Sequence, residues 1–254
     1  MLKSVIVGCG KIAGAQSQAL TTHGGAYQDN KYINLVACVD NDRQKREAFA
    51  NSYQCQAEPE VEHTLAKHHP DVVSVCTPDS THFKIAEEIL SSENRPKLII
   101  LEKPACHSAT ELKQLINLSE RTGVDIVVNH TNRFDQHHQQ LRDRISAGEF
   151  GTLITANIIY YSGWQHNGVH IVDTLSYLMK DSFDIIKITA STKSLYENDA
   201  NKSSFKSEYG YDLTPPETLE QWKDQAIFFS NPPNFFGTQY VGKEEAITGR
   251  FYEL

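Results

Sequence analysis

Val7-Gly8-Cys9-Gly10-Lys11-Ile12-Ala13-Gly14 places a G-x-G-x-x-A pattern, followed by a third glycine, directly after the apolar run Ser4–Val7. Glycines at this spacing suit a tight turn and a close backbone approach to a pyrophosphate. The expectation is that the turn opens the first helix and that Gly8, Gly10, Lys11 and Ile12 border a dinucleotide. A second apolar run, Leu35–Val39, ends in Asp40, whose carboxylate can accept hydrogen bonds from an adenosine ribose. The separation of Gly10 and Asp40 exceeds the usual spacing of about 20 residues, and His23–Tyr32 is read as the insert responsible. A carboxylate at this place suits a 2′-hydroxyl and repels a 2′-phosphate, so NAD is expected over NADP. Arg43 either softens that preference or is a solvated helix-start residue. A purely structural glycine turn is the alternative to dinucleotide binding.

Two further segments follow apolar runs. Cys76-Thr77-Pro78-Asp79-Ser80-Thr81-His82 comes after the third, and Glu102-Lys103-Pro104 after the fourth. Both are at carboxyl ends of strands, where open α/β sheets bind their ligands. With the glycine turn and the later Gly168-Val169-His170-Ile171-Val172-Asp173-Thr174-Leu175, these segments resemble the Gfo/Idh/MocA family of oxidoreductases over about residues 3–195.

The resemblance implies a Rossmann domain followed by an α+β domain with an open sheet. It implies hydride transfer between a nicotinamide cofactor and a carbon bearing a hydroxyl, on a sugar-like or nucleotide-sugar alcohol or ketone. Lys103 matches the family lysine expected near the nicotinamide and the reacting oxygen. Thr77, Pro78 and His82 match the loop beside the cofactor, and Glu102 a residue close to its ribose or nicotinamide. His170 matches the proton acceptor and Asp173 the aspartate three residues on, placed on the substrate side. The chemistry is coherent on its own terms. An imidazole suits the base, and an ammonium stabilises the developing alkoxide. The structural alternatives are a surface lysine after a strand and a partly buried histidine on an amphipathic helix. Arg133, in Asn129-His130-Thr131-Asn132-Arg133-Phe134, either holds substrate by directed hydrogen bonds or ties the two domains together.

One position departs from the family pattern. Four residues before His170 the family often has Asp, and here stands His166. His166 is therefore a third catalytic candidate, one that can hydrogen-bond substrate but cannot supply a negative charge. His166 and His170 also have a metal-like spacing, yet Asn167 occupies the place where a zinc protease needs its glutamate, and no metal is expected. A non-catalytic dinucleotide-binding regulator or assembly protein of the same descent is the competing function.

These residues need a scaffold. Strands are expected at Ser4–Val7, Leu35–Val39, Val72–Cys76, Leu98–Leu101 and Ile126–Val128, short continuous apolar runs suited to burial on both faces. Helices are expected at Lys11–Leu20, Asp42–Asn51, His82–Leu90 and Ala109–Arg121, the last stopped by Gly123. The class is thus α/β, an N-terminal Rossmann-like doubly wound parallel sheet over residues 1–130. A second, smaller α+β domain for substrate and oligomerisation follows over residues 131–254. In it, helices are expected at Asp135–Ala147, Val169–Met179 and Glu217–Asp224. Strands are expected at Leu153–Tyr161, Ile185–Ser194, Ala226–Ser230, Phe235–Val241 and Ile247–Tyr252. Phe228, Phe229, Phe235 and Phe236 either form that domain's core or are covered by another copy, and a homo-oligomer is expected.

Composition narrows the partners. The 254 residues carry 24 Lys+Arg against 32 Asp+Glu, a net charge of −8, which argues against nucleic-acid binding and docking to an anionic membrane. No run approaches the ~20 apolar residues of a membrane helix. Five scattered cysteines without a C-x-x-C pair read as free thiols, so a cytoplasmic protein is expected.

Overall fold

Val- and Ile-rich runs too short to be helices become parallel strands. The structure, a computed structural model, describes residues 1–152, 157–161, 168–180, 237–241 and 246–250. The chain divides into two units, Met1–Asn129 and His130–Leu254.

In the first unit, β1 (Leu2–Val7), β2 (Ile33–Val39), β3 (Gln56–Glu58), β4 (Val72–Val75), β5 (Leu98–Leu101) and β6 (Asp125–Val128) form one sheet. The strand order is β3-β2-β1-β4-β5-β6, and every pairing is parallel. The order reverses between β1 and β4, which opens a crevice at their carboxyl ends. Val7 is in register with Val39 on one side and Val75 on the other, so three strand ends meet there. Ile6, Val73, Ile99 and Leu101 are buried at the sheet centre.

Five helices cover this sheet: α1 (His23–Asp29), α2 (Arg43–Tyr53), α3 (Val61–His68), α4 (His82–Ser91) and α5 (Ala109–Thr122). Their starts are set by short polar side chains that satisfy otherwise orphaned backbone N–H groups. Asp42 accepts from Gln44 N and Lys45 N at 2.9 and 3.2 Å, and Ser108 accepts from Glu111 N at 3.1 Å.

The expected helix Lys11–Leu20 does not form. The amides of Gly14 and Ala15 both return to Gly10 O, at 3.2 and 3.1 Å, and close a single turn. Gly14 at φ +115° cannot continue a right-handed helix, and the following Gln- and Ser-rich stretch offers no apolar stripe. The helix is instead α1, capped by Thr22, with His23, Gly24, Gly25 and Tyr27 buried. The extra residues therefore lie before His23, and His23–Tyr32 is not the insert. Strand β3 and helix α3 were also absent from the expectation. Three residues, two of them polar, give no strand signal.

In the second unit a one-turn 3-10 helix, Thr131–Arg133, precedes α6 (Gln136–Ser146) and β7 (Asn157–Tyr161). Next come α7 (Val169–Met179), β8 (Gly237–Val241) and β9 (Ala246–Arg250). The three strands pair antiparallel in the order β7-β9-β8. The elements expected at Ile185–Ser194, Glu217–Asp224 and Ala226–Ser230 lie outside the described residues, as do the four phenylalanines. Among the described residues no helix is long and apolar enough to cross a membrane.

Candidate functional site

The first unit carries a cleft of about 650 Å³ over the carboxyl ends of β1, β2 and β4. Gly8 and Gly10, Asp40 and Asn41, and Thr77 and Pro78 contribute to its walls. Gly8 has φ +94°, and a Cβ there would stand 2.7 Å from the backbone of Cys76 and Thr77. Only glycine lets the β1 turn pass this close to the loop after β4. A Cβ on Gly10 would meet nothing within 4 Å, so its backbone faces open cleft.

Asp40 is anchored by backbone donors. Its Oδ2 accepts from Cys9 N at 2.8 Å and its Oδ1 from Asp42 N at 2.9 Å. An ionised carboxylate has about four acceptor positions, so two are left for a ligand. Arg43 Nε instead donates to Glu47 at 2.6 Å, on a side chain 77% exposed, and is the solvated helix-start residue of the two readings.

Thr77 and Pro78 form a closed turn. Thr81 donates its hydroxyl to Pro78 O at 2.7 Å and its amide to the same oxygen at 2.9 Å. His82 does not line the cleft. It is buried, with Nδ1 2.6 Å from Pro104 O and Nε2 2.8 Å from Thr77 O. Both partners are carbonyls, so the ring clamps the loop after β4 to the loop after β5. Replacing His82 by Ala should destabilise the chain by about 2–4 kcal/mol, from the lost contact between the two loops and from the space left behind. Urea denaturation measures this, and a loss under about 1 kcal/mol would show that the loops hold without the ring.

Glu102 is also turned inward, 7% exposed. Its Oε1 accepts from His23 Nε2 at 2.8 Å and from Asn129 Nδ2 at 2.6 Å. Burial raises its proton affinity, but these two donors and the nearby Lys103 charge outweigh it, and the carboxyl lies below its ordinary range. Lys103, at the end of β5, is half-buried. Burial pulls its ammonium below the ordinary lysine value, against the charges of Glu102 and Asp79. Lys11 and Ile12 are exposed beyond the glycine turn. Neither they nor Lys103 lies among the residues lining the cleft. Burial, with Glu102's charge adding, pushes the Cys76 thiol well above its usual value, which removes it as a nucleophile.

In the second unit, Arg133 Nε donates to Asp173 Oδ1 at 2.8 Å, and Asn132 Nδ2 donates to Thr174 Oγ1 at 2.8 Å. The Arg133 guanidinium also stacks on the Tyr177 ring at 5.3 Å, and Arg142 on the same ring at 4.8 Å. Arg133 thus ties the Thr131–Arg133 turn to α7, a role neither sequence reading anticipated. His170, in the first turn of α7, has its ring 6.2 Å from that of His130 and edge-on to it. His130 Nδ1 lies 3.7 Å from Asp173 Oδ2. His166 lies outside the described residues. Among the described residues no His, Cys, Asp and Glu cluster could hold a metal ion.

Sequence reasoning missed the far wall of the cleft: Lys45, the Pro59–Glu62 segment, Ile85 and Glu88. Pro59-Glu60 before the apolar Val61 was the available sign of a turn ahead of a helix.

A family model described as an oxidoreductase family with an NAD-binding Rossmann fold matches residues 2–130. The chain is 27% identical over 118 residues to 4-carboxy-2-hydroxymuconate-6-semialdehyde dehydrogenase of a Sphingobium species, covering 46% of this chain and 36% of that protein. It is 25% identical over 153 residues to D-glucoside 3-dehydrogenase of Escherichia coli, covering 60% and 41%. The solved WlbA dehydrogenase of Bordetella pertussis, in complex with NADH and UDP-GlcNAcA, has the same fold with a TM-score of 0.59. That match is 22% identical and covers 70% of this chain and 59% of that one. In each case the match spans less than two thirds of the relative.

Proposed function

The chain belongs to the Gfo/Idh/MocA oxidoreductase family, and from that premise we propose that it is a nicotinamide-dependent dehydrogenase or reductase. The substrate in this reading is the CH–OH or ketone carbon of a sugar-like or nucleotide-sugar molecule. The observation that carries it is the cleft at the strand-order reversal, with Gly10 open beneath it and the fixed Asp40 carboxylate at its wall. These residues fit a dinucleotide, with a backbone that can approach phosphates and an acceptor for ribose hydroxyls. The glucoside and nucleotide-sugar relatives support the substrate class.

A bound nicotinamide would accept or return the hydride. Around it, Lys103 stabilises negative charge on the reacting oxygen, and His170 takes the hydroxyl proton. His166 assists His170 as a hydrogen-bonding neighbour. Thr77 and Pro78 border the cofactor, while His82 and Glu102 act from behind by fixing the loops. Arg133 and Asp173 shape the substrate side by bracing α7. A screen of sugars and nucleotide sugars for NADH formation, alongside cofactor titration, tests the reading. Cofactor binding without turnover across the screen would favour a non-catalytic dinucleotide-binding protein.

NAD is the cofactor in this proposal. Asp40 is held ready for a 2′-hydroxyl, and its charge opposes a 2′-phosphate. Lys45 on the cleft wall would attract that phosphate, but it is 63% exposed and 4.0 Å from Asp42, so it is screened and partly compensated. NAD(H) should therefore bind on the order of tenfold more tightly than NADP(H), about 1.4 kcal/mol, and Asp40→Ser should narrow the gap. Titration of both cofactors decides it; tighter NADP(H) binding to the unaltered protein would refute the assignment.

A further inference from the structure

The far wall of the cleft is carried by two short elements. Its residues Pro59, Glu60, Val61 and Glu62 join β3, of three residues, to α3, of eight. A helix of that length is marginal on its own. Glu60 before it makes no side-chain cap hydrogen bond, unlike Asp42 and Ser108 at α2 and α5. Strand β3 lies at the edge of the sheet and pairs only with β2.

The side chain that joins these two elements is Glu58, the last residue of β3. Its carboxylate is buried and meets three basic groups, all on α3. Lys67 Nζ donates to Oε1 at 2.8 Å, and His68 Nε2 lies 3.0 Å from the same oxygen. His63 Nε2 lies 3.7 Å from Oε2. His63 is in the first turn of α3, and Lys67 and His68 are in the last, so one carboxylate holds the helix at both ends. Positive groups in the last turn also suit the carbonyl end of a helix. Because the carboxylate is buried, water is a poor substitute for these partners.

Glu58 also decides where the wall stands. It is in register with Val39 of β2, and Val39 and Asp40 line the cleft beside it. The Pro59–Glu62 wall therefore borders the carboxylate read as the ribose acceptor, at the adenosine end of a bound dinucleotide. We propose that Glu58 is a positioning residue for this cleft: by pinning α3 to the end of β3, it holds the Pro59–Glu62 wall against the adenosine half of the cofactor. This rests on the dinucleotide reading of the cleft. Glu58, His63, Lys67 and His68 are not among the residues lining the cleft, so their effect passes through the wall. Val61, Thr64 and Leu65 bury the inner side of α3, which keeps the helix docked when the pin is lost and confines the change to its start.

The test uses Glu58→Gln, which keeps the shape and removes the charge. Hydrogen exchange of the unliganded protein, read by mass spectrometry, should be at least about tenfold faster over residues 60–65 and unchanged over β1 and β4. NADH and ADP-ribose share the adenosine half, and both should bind at least about threefold more weakly. A role in stability alone would leave the affinity of the folded protein unmoved. Lys67→Met, at a partner 48% exposed, should shift both readouts in the same direction by less. Unchanged exchange over residues 60–65 overturns the proposal, and so does faster exchange with unchanged affinity. A loss for NADH without one for ADP-ribose also overturns it, because the effect then enters away from this wall. If Glu58→Gln does not fold, Lys67→Met decides by the same criteria. If the unaltered protein binds neither ligand, the dinucleotide reading fails, while the exchange result still upholds or overturns the hold of Glu58 on the wall.

Discussion

Lys103→Met lowers turnover by roughly 10²-fold or more and leaves cofactor affinity nearly unchanged; this is the expected result of steady-state kinetics paired with cofactor titration. Lys103 sits at the carboxyl end of β5, clamped from behind through Pro104 and His82. Its half-buried ammonium is less screened than a surface charge, so it stabilises a developing alkoxide more than an exposed lysine would. Met keeps the length of the side chain and removes the ammonium with its charge and its N–H donors. Thermal melts establish that the variant is folded before its turnover is compared. The pH dependence has a definite sign. Burial draws the ammonium below the ordinary lysine value, and Glu102 and Asp79 resist without cancelling it. Activity that needs the cation should then fall on the alkaline side earlier than an ordinary lysine near 10.4 would allow. Turnover unchanged in Lys103→Met would mean that the lysine only packs the strand end.

The parts of this arrangement that were legible in the sequence share a physical cause. Strands β1, β2, β4, β5 and β6 are continuous apolar runs because helices cover both faces, and such runs stand out from their polar flanks. Helix starts were legible at Asp42 and Ser108, where a side-chain oxygen replaces the missing backbone acceptor. Gly8, Gly10, Asp40, Thr77 and Pro78 follow strand ends directly, and strand ends converge at the cleft whatever the loops do. What failed depended on contacts distant along the chain. Lys11–Leu20 was read as helix because its polar residues tolerate one, while the turn is decided by Gly14 meeting Tyr53 of α2. Glu102 and His82 were read as cofactor contacts because they stand beside cofactor-loop residues. Burial turns Glu102 inward against His23, and His82, at the start of α4, is held between the Pro104 and Thr77 carbonyls. The bond from His23 to Glu102 spans 79 residues and leaves no local signal. Likewise Arg133 pairs with Asp173 across 40 residues, a contact that leaves no local signal.

The two glycines at the cleft should separate folding from binding. In Gly8→Ala the new Cβ stands 2.7 Å from the Cys76 carbonyl and the Thr77 amide, with φ at +94°. These are backbone atoms of a loop held by its own hydrogen bonds, so they cannot swing aside. The backbone conformation costs about 1–3 kcal/mol and the overlap a similar amount, so Gly8→Ala should lose several kcal/mol of stability and its cofactor site together. Gly10→Val meets no such obstacle, because nothing lies within 4 Å of its Cβ and φ is not in the left-handed region. Its thermal melt should match the unaltered protein within about 0.5 kcal/mol. The branched side chain nevertheless projects into the space a pyrophosphate needs to reach the backbone amides. NADH affinity should fall on the order of 10²-fold, about 2.7 kcal/mol, by fluorescence titration. A folded Gly10→Val protein that binds NADH as tightly as the unaltered chain would show that the dinucleotide does not cross this turn. The cleft would then need another ligand.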